Sequence, residues 1–187
     1  ERLRKFYGLE KRPVKVNEPY QMLGIIEEDL AQILGCDIMG ISPRTNIFGF
    51  ENNNWKEFKT FWGQDVLVPG NFNTKKDQNG DLILYPEGDM SVAPSAKMPQ
   101  TGYFFDSIIR QQPYDENNPN LVDNLEEFSL LNETDLAYWK SVASEIKGSG
   151  KGIIVNFGGT ALGDIALVPA PWMKNPKGIR DISDWYM

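Results

Sequence analysis

At 187 residues, 41% hydrophobic and 24% charged, the chain has the size and balance of one folded domain or part of a larger one, not of a disordered segment. A net charge of −7 argues against a nucleic-acid backbone or an anionic membrane surface as partner. With no histidine and the single cysteine Cys36, the chain itself cannot supply a Ser-His-Asp or Cys-His nucleophile, a His general base, a His-containing zinc site or an internal disulfide.

The lone thiol fits a reducing, cytoplasmic setting. No apolar stretch approaches the ~20 residues of a membrane span. The charged start Glu1-Arg2-Leu3-Arg4-Lys5 has no apolar run behind it, so it does not read as a secretory signal.

Residues 13–17 read as a short strand. Asn17 can cap a helix beginning just after it, with Glu18 and Pro19 suited to the first helical turn. Tyr20, Leu23, Ile26, Leu30, Ile33 and Leu34 then recur at helical spacing, and Gly35 ends the helix. On that helix Glu27, Glu28 and Asp29 read as a solvated face. Cys36, at the start of the next apolar run, reads as a buried structural thiol. Ile38-Met39-Gly40-Ile41 forms a second strand, closed by Ser42-Pro43. Strand, helix and strand over 13–42 make the βαβ pattern of a parallel sheet.

The middle differs. Glu51-Asn52-Asn53-Asn54 is a polar loop. Two apolar runs, 65–69 and 81–85, flank a turn-rich stretch with Asn79-Gly80, which predicts an antiparallel hairpin between them. Residues 91–100, with Pro94 and Pro99, read as irregular loop. Tyr103, Phe104 and Phe105 read as core aromatics, and Asp106 with Arg110 as a local ion pair. Residues 113–120 are polar and turn-rich.

Helix returns near Thr134, with Leu136, Trp139, Val142, Ala143 and Ile146 as its apolar stripe and Gly148 as its stop. Ile153-Ile154-Val155-Asn156-Phe157 comes next as a nearly unbroken apolar run ending in Gly158-Gly159. That is the pattern of a strand buried on both faces in a parallel α/β sheet. A helix is predicted from near Asp164, and Asp181 can cap a last one. The whole reads as a single domain over 1–187: strand-helix-strand at 13–42, a hairpin and loop insertion at 50–130, and helix-strand-helix at 133–187. About three parallel strands close no core alone, so the chain is expected to be the N-terminal part of a larger α/β fold. A small complete α+β domain is the alternative.

Pro13-Val14-Lys15-Val16, Tyr20-Gln21-Met22-Leu23-Gly24, Leu34-Gly35-Cys36-Asp37-Ile38-Met39-Gly40 and Phe157-Gly158-Gly159-Thr160 leading to Pro169 resemble, in order and spacing, the opening of the uroporphyrinogen decarboxylase superfamily. That superfamily includes cobalamin-dependent methyltransferases. The resemblance implies the N-terminal part of a (β/α)₈ TIM-type barrel carrying an antiparallel hairpin insertion. True decarboxylases hold substrate carboxylates with arginines after the first strand; here Val16-Asn17-Glu18-Pro19-Tyr20-Gln21 has none, which disfavours an anionic porphyrinogen. The methyltransferase branch uses zinc held by His and Cys late in its chain. The resemblance therefore implies zinc and a corrinoid methyl donor for a complete parent, no cofactor held by this chain, and an inactive fragment on its own.

The substrate-lining candidates are strand-end and loop residues: Asn17, Arg44, Asp106, Asn156, Gly158 and Gly159. Asn17 and Asn156 lie at the ends of predicted strands, where an amide both donates and accepts. For Asn17 a helix cap is the plainer role. Gly158 and Gly159 allow a ligand close to the backbone, or simply a tight turn. Arg44 can meet an anion or face solvent. The expected function is the N-terminal region of a decarboxylase-like enzyme related to corrinoid-dependent methyltransferases, with a small-molecule substrate or corrinoid protein as partner. Two alternatives stand beside it: a non-enzymatic binding or self-assembly module forming a homo-oligomer, and uroporphyrinogen decarboxylation by a complete parent. No nucleic-acid or membrane partner is expected.

Overall fold

The computed structural model describes residues 1–113, 115, 117, 120–156 and 168–185. In chain order these form α1 (Arg2–Phe6), β1 (Val14–Glu18), β2 (Leu23–Gly24), α2 (Glu28–Ile33), β3 (Ile38–Ile41), β4 (Lys56–Lys59), β5 (Asp65–Val68), β6 (Thr74–Lys76), β7 (Leu82–Leu84), β8 (Ala96–Met98), β9 (Asp106–Ser107), α3 (Glu133–Ile146), β10 (Gly152–Val155) and α4 (Ile182–Trp185). Short 3₁₀ turns lie at Pro86–Gly88 and Leu121–Leu125. The fold is mixed α/β. Its strands form one sheet ordered β2-β1-β5-β4, a second ordered β6-β7-β8-β9, and a two-stranded pair of β10 and β3. No closed barrel forms among the described residues.

The core lies where the two larger sheets meet. Val16, Val66 and Val68 from the first sheet join Leu82, Leu84, Ala96 and Met98 from the second. Alternation sets this up: β7 and β8 each bury their first and third residues and leave the middle one half-exposed, the period-two pattern of a strand with one core face. Phe48, Phe72 and Phe105 fill the space between. Phe105 meets Phe48 and Phe72 edge to face at 6.1 and 6.0 Å between ring centres. Of the three consecutive aromatics expected in the core, only Phe105 is there; Tyr103 and Phe104 are exposed.

The βαβ reading of residues 13–42 is corrected by the pairing. β1 runs parallel to β5, and β3 runs parallel to β10, so the two strands lie in different sheets. The helix between them is also shorter than its periodicity predicts. Glu18 explains this: its carboxylate accepts the amides of Tyr20 and Gln21 at 3.0 and 2.7 Å, closing a turn directly after β1. Leu23–Gly24 then pairs back on Val16 and Glu18, so Tyr20 and Leu23 belong to a hairpin and Ile26 to the link before α2, not to a helical stripe. Asn17 lies inside β1 and caps no helix.

Glu27 and Asp29 are not a solvated face. Both receive the buried Arg4 guanidinium, and Glu28 receives Lys151 at 2.7 Å. Cys36 is exposed, not buried.

The Asn79-Gly80 turn does make an antiparallel hairpin, but it joins β6 to β7. The run at 65–68 pairs instead with β4 through the turn at 60–64, where Thr60 Oγ accepts the Gln64 amide at 3.0 Å. Nor are residues 91–100 wholly irregular. Ala96–Met98 pairs with β7, fitting between Pro94 and Pro99, which have no N–H to give a ladder.

α3 forms as the sequence predicts. The Asn132 side chain caps it by accepting the Asp135 amide at 2.9 Å. None of its residues is buried. β10 departs most from expectation. Instead of being buried on both faces, Ile153, Ile154 and Val155 are 38%, 60% and 37% exposed, on a strand whose one partner strand among the described residues is β3. Asp181 accepts the Ser183 amide at 2.9 Å at the start of α4, as expected. The helix predicted from near Asp164 lies outside the described residues. No helix is long and apolar enough to cross a membrane among the described residues.

Candidate functional site

β3 and β10 run side by side in parallel register from Ile38 opposite Gly152 to Ile41 opposite Val155. The Asn156 amide continues the ladder, donating to the Ile41 carbonyl at 2.9 Å. Residues 42–44 and Asn156 therefore leave the pair at the same carboxyl edge. The first two turns of α3 meet that edge. Tyr138 Oη donates to the Ser42 carbonyl at 2.8 Å, and Arg44 Nε donates to Asp135 Oδ1 at 3.1 Å. Arg44 Nη1 also donates to Glu51 Oε1.

The loop after Arg44 carries the edge toward β1. Thr45 and Glu51 form an antiparallel bridge. Asn46 Nδ2 donates to Asn52 Oδ1 at 2.9 Å, and Asn52 Nδ2 donates to the Asn17 carbonyl at 2.7 Å. Three predicted residues are thus linked by one loop: Asn17 through Asn52, Arg44 directly, and Asn156 through Ile41. Asn17 contributes its backbone oxygen to this chain of contacts.

The electrostatics fix what this edge can hold. The Glu51 carboxylate first, then Asp135, hold the Arg44 guanidinium above its ordinary value. That cation is already matched by two anions, so it is not a free clamp for an acidic ligand. Burial, then the charge of Glu145, pushes the Tyr138 phenol up, keeping it a neutral donor. Burial raises the Glu18 carboxyl against the opposing pull of the Gln21 and Tyr20 amides. The edge is a set of amides, carbonyls and a matched ion cluster. Such a surface suits a neutral or cationic polar group better than a polycarboxylate.

Comparison of the chain with protein-family models, with curated proteins and with solved structures finds no match.

Asp106 does not join this edge. It sits in β9 opposite Lys97, in the other large sheet. Nor does Arg110 pair with it. Arg110 donates to the carbonyls of Met173 at 2.6 Å and Ala170 at 2.7 Å, and burial, then the charge of Arg180, lowers the guanidinium to about 10. Gly158 and Gly159 lie outside the described residues. Asn46, Glu51, Asn52, Asp135 and Tyr138 are site residues that the sequence pattern does not single out. The signals that point to them are the density of amides just after Phe50 and the Asn132–Asp135 cap spacing.

The donor set does not fit a catalytic zinc. There is no histidine, and the one thiol, Cys36, is exposed. Among the described residues, no three His, Cys, Asp or Glu side chains come together so as to hold a metal.

Proposed function

We propose that this chain is the opening part of a uroporphyrinogen decarboxylase-like barrel enzyme, related to the corrinoid-dependent methyltransferases, whose carboxyl edge at β3 and β10 lines a small-molecule substrate. One observation carries the reading. β3, α3 and β10 occur in that order, the two strands are parallel neighbours, and Arg44 and Asn156 leave them at one edge. Parallel α/β folds set their binding residues at that edge. On this reading the strands β4 to β9, which lie between β3 and α3, are an insertion that joins β1 through β5.

This chain's residues would position the substrate, and the reactive groups would come from elsewhere in the parent. Zinc and a corrinoid methyl donor belong to that parent, and no step through either is derived from these residues. Porphyrinogen decarboxylation fits less well. Arg44 is committed to Glu51 and Asp135, and residues 16–21 offer no arginine.

The test is methyl transfer by the complete parent reading frame. The parent is incubated with zinc, methylcobalamin and thiol or folate acceptors, and cobalamin demethylation is followed by absorbance. Demethylation that Asn156→Ala weakens through KM supports a substrate-lining role. Absence of both transfer and bound zinc counts against the methyltransferase reading, and carboxyl loss from uroporphyrinogen in the same preparation would replace it.

A second reading rests on a different observation. Ile38 and Ile154 are 55% and 60% exposed on a two-stranded pair whose outer edges have no partner strand among the described residues. Open apolar edges of this kind favour self-association. A monomer by light scattering at high concentration, melting cooperatively, removes that reading.

A further inference from the structure

A cavity of about 310 Å³ opens between the turn that joins β4 to β5 and the sheet of β6, β7 and β8. Its wall is apolar and soft: Met22, Phe58, Phe61, Trp62 and Met98, with the exposed Lys59 and Lys76 at the rim. Trp62 packs against the exposed ring of Tyr103 at 5.3 Å, extending the aromatic surface out of the cavity.

Two features set it apart from a packing gap. Met22 has φ 57°, a left-handed backbone that a residue with a side chain rarely adopts. Such conformations concentrate at binding and clamp positions. The second feature is Lys76. Its ammonium stands 5.6 Å from the centre of the Phe61 ring, and it has no acidic partner among the described residues. The other lysine that lines the cavity, Lys59, is matched by Asp65 at 3.1 Å, and Lys97 on the neighbouring strand by Asp81 at 3.5 Å. Asp77, next in sequence, is turned to its own loop, where it accepts the amides of Asn79 and Asp81.

We propose that this cavity binds a small carboxylic acid carrying one aromatic ring, with the ring among Phe61, Trp62 and the two thioethers and the carboxylate on Lys76. Rings and sulfur favour an aromatic guest through edge contacts and S–aromatic attraction. The volume is at the low end of small-molecule sites, roughly 300–1,000 Å³, so it admits one ring and excludes a macrocycle. The unmatched cation selects the acid over its neutral analogue. This site is built from other residues than the β3 and β10 edge and stands whether or not the parent is a methyltransferase.

The probe is benzoate, titrated into the isotope-labelled full chain and followed by NMR at the Trp62 indole N–H and the methyls of Met22 and Met98. Saturable shifts confined to those groups are expected. Benzyl alcohol and Lys76→Met should each weaken binding by about fivefold or more, the loss of one partly exposed charge contact. Lys97→Met should change it by less than about twofold, since that lysine is paired with Asp81 and does not line the cavity. Lys76 is exposed, so its variant is expected to fold, and its spectral dispersion checks this. Absence of saturable shifts overturns the site. Benzyl alcohol binding as well as benzoate, or equal losses from the two lysine variants, overturns the assignment of the carboxylate to Lys76.

Discussion

Arg4 grips Asp29 with two parallel hydrogen bonds, Nη1 to Oδ1 at 2.8 Å and Nη2 to Oδ2 at 2.7 Å, across 25 residues of chain. The planar fork matches the carboxylate, and Arg4 is 5% exposed, so α1 is fastened to the start of α2 by a geometry lysine cannot copy. The Arg4 hydrogen bonds, more than any other contact, hold the Asp29 carboxyl down to about 2.

This pairing makes stability depend on pH. An unfolded aspartate titrates near about 3.9, so the folded carboxyl is the stronger acid. Its contribution is complete above that unfolded value and is lost as pH falls through about 2. Asp29→Asn is expected to melt lower than the wild type at neutral pH and to show a flatter fall between about pH 4 and about pH 2. Thermal melts across that range measure it. Equal slopes would show that the pair contributes nothing to acid sensitivity.

Arg44 joins the loop after β3 to α3 through Glu51 and Asp135. Arg44→Met is expected to lower stability by about 1 kcal/mol, the scale of a partly exposed ion cluster. Arg44→Lys should recover little of it, because an ammonium cannot serve two carboxylates from one plane. A double-mutant cycle with Asp135→Ala in urea reads the coupling, and strict additivity would rule out a working pair.

Two glycines separate backbone strain from collision. Gly35, at the end of α2, has φ 71°, with nothing within 4 Å of where a Cβ would stand. Gly35→Ala is expected to cost about 1 kcal/mol, the conformational penalty alone. Gly88 has φ 74°, and a Cβ there would overlap the Asn71 carbonyl oxygen. Gly88→Ala should cost about 3 kcal/mol or more, since backbone and not a pliant side chain must move. Similar denaturation midpoints for the two variants would contradict this.

Phe104 and Phe105 make a second matched pair. Phe105 is 0% exposed and Phe104 53%. Phe105→Ala is expected to lose about 3–5 kcal/mol, and Phe104→Ala to stay within about 0.5 kcal/mol of the wild type in the same urea titration.

The sequence pattern locates elements wherever the cause is local. Ile38–Ile41 and Glu133–Ile146 carry their own periodicity and stops, and both form as predicted. Partnership is not local. Nothing in Val14–Glu18 says that its parallel neighbour is Asp65–Val68. Thr74–Lys76 has no apolar residue and is a strand because Leu82–Leu84 offers it a ladder. The site divides in the same way. Asn17, Arg44 and Asn156 are legible from their places within or just after apolar strands. Asp135 reaches Arg44 from 91 residues away, which only the fold can arrange.

The pairing of β3 with β10 also sets an order of assembly. Its partners are the most widely separated in sequence of any two paired strands among the described residues, and closing so long a loop is slow until something shortens it. The hairpins of β4 with β5 and β6 with β7 join near neighbours and need no such wait. The intervening sheets can therefore condense around Phe105 first, leaving β10 to dock last and, with its exposed isoleucines, to come away first. The edge carrying Asn156 is consequently the most easily opened part of the α/β frame. Its amides should exchange with solvent well before those of Leu84 or Val68.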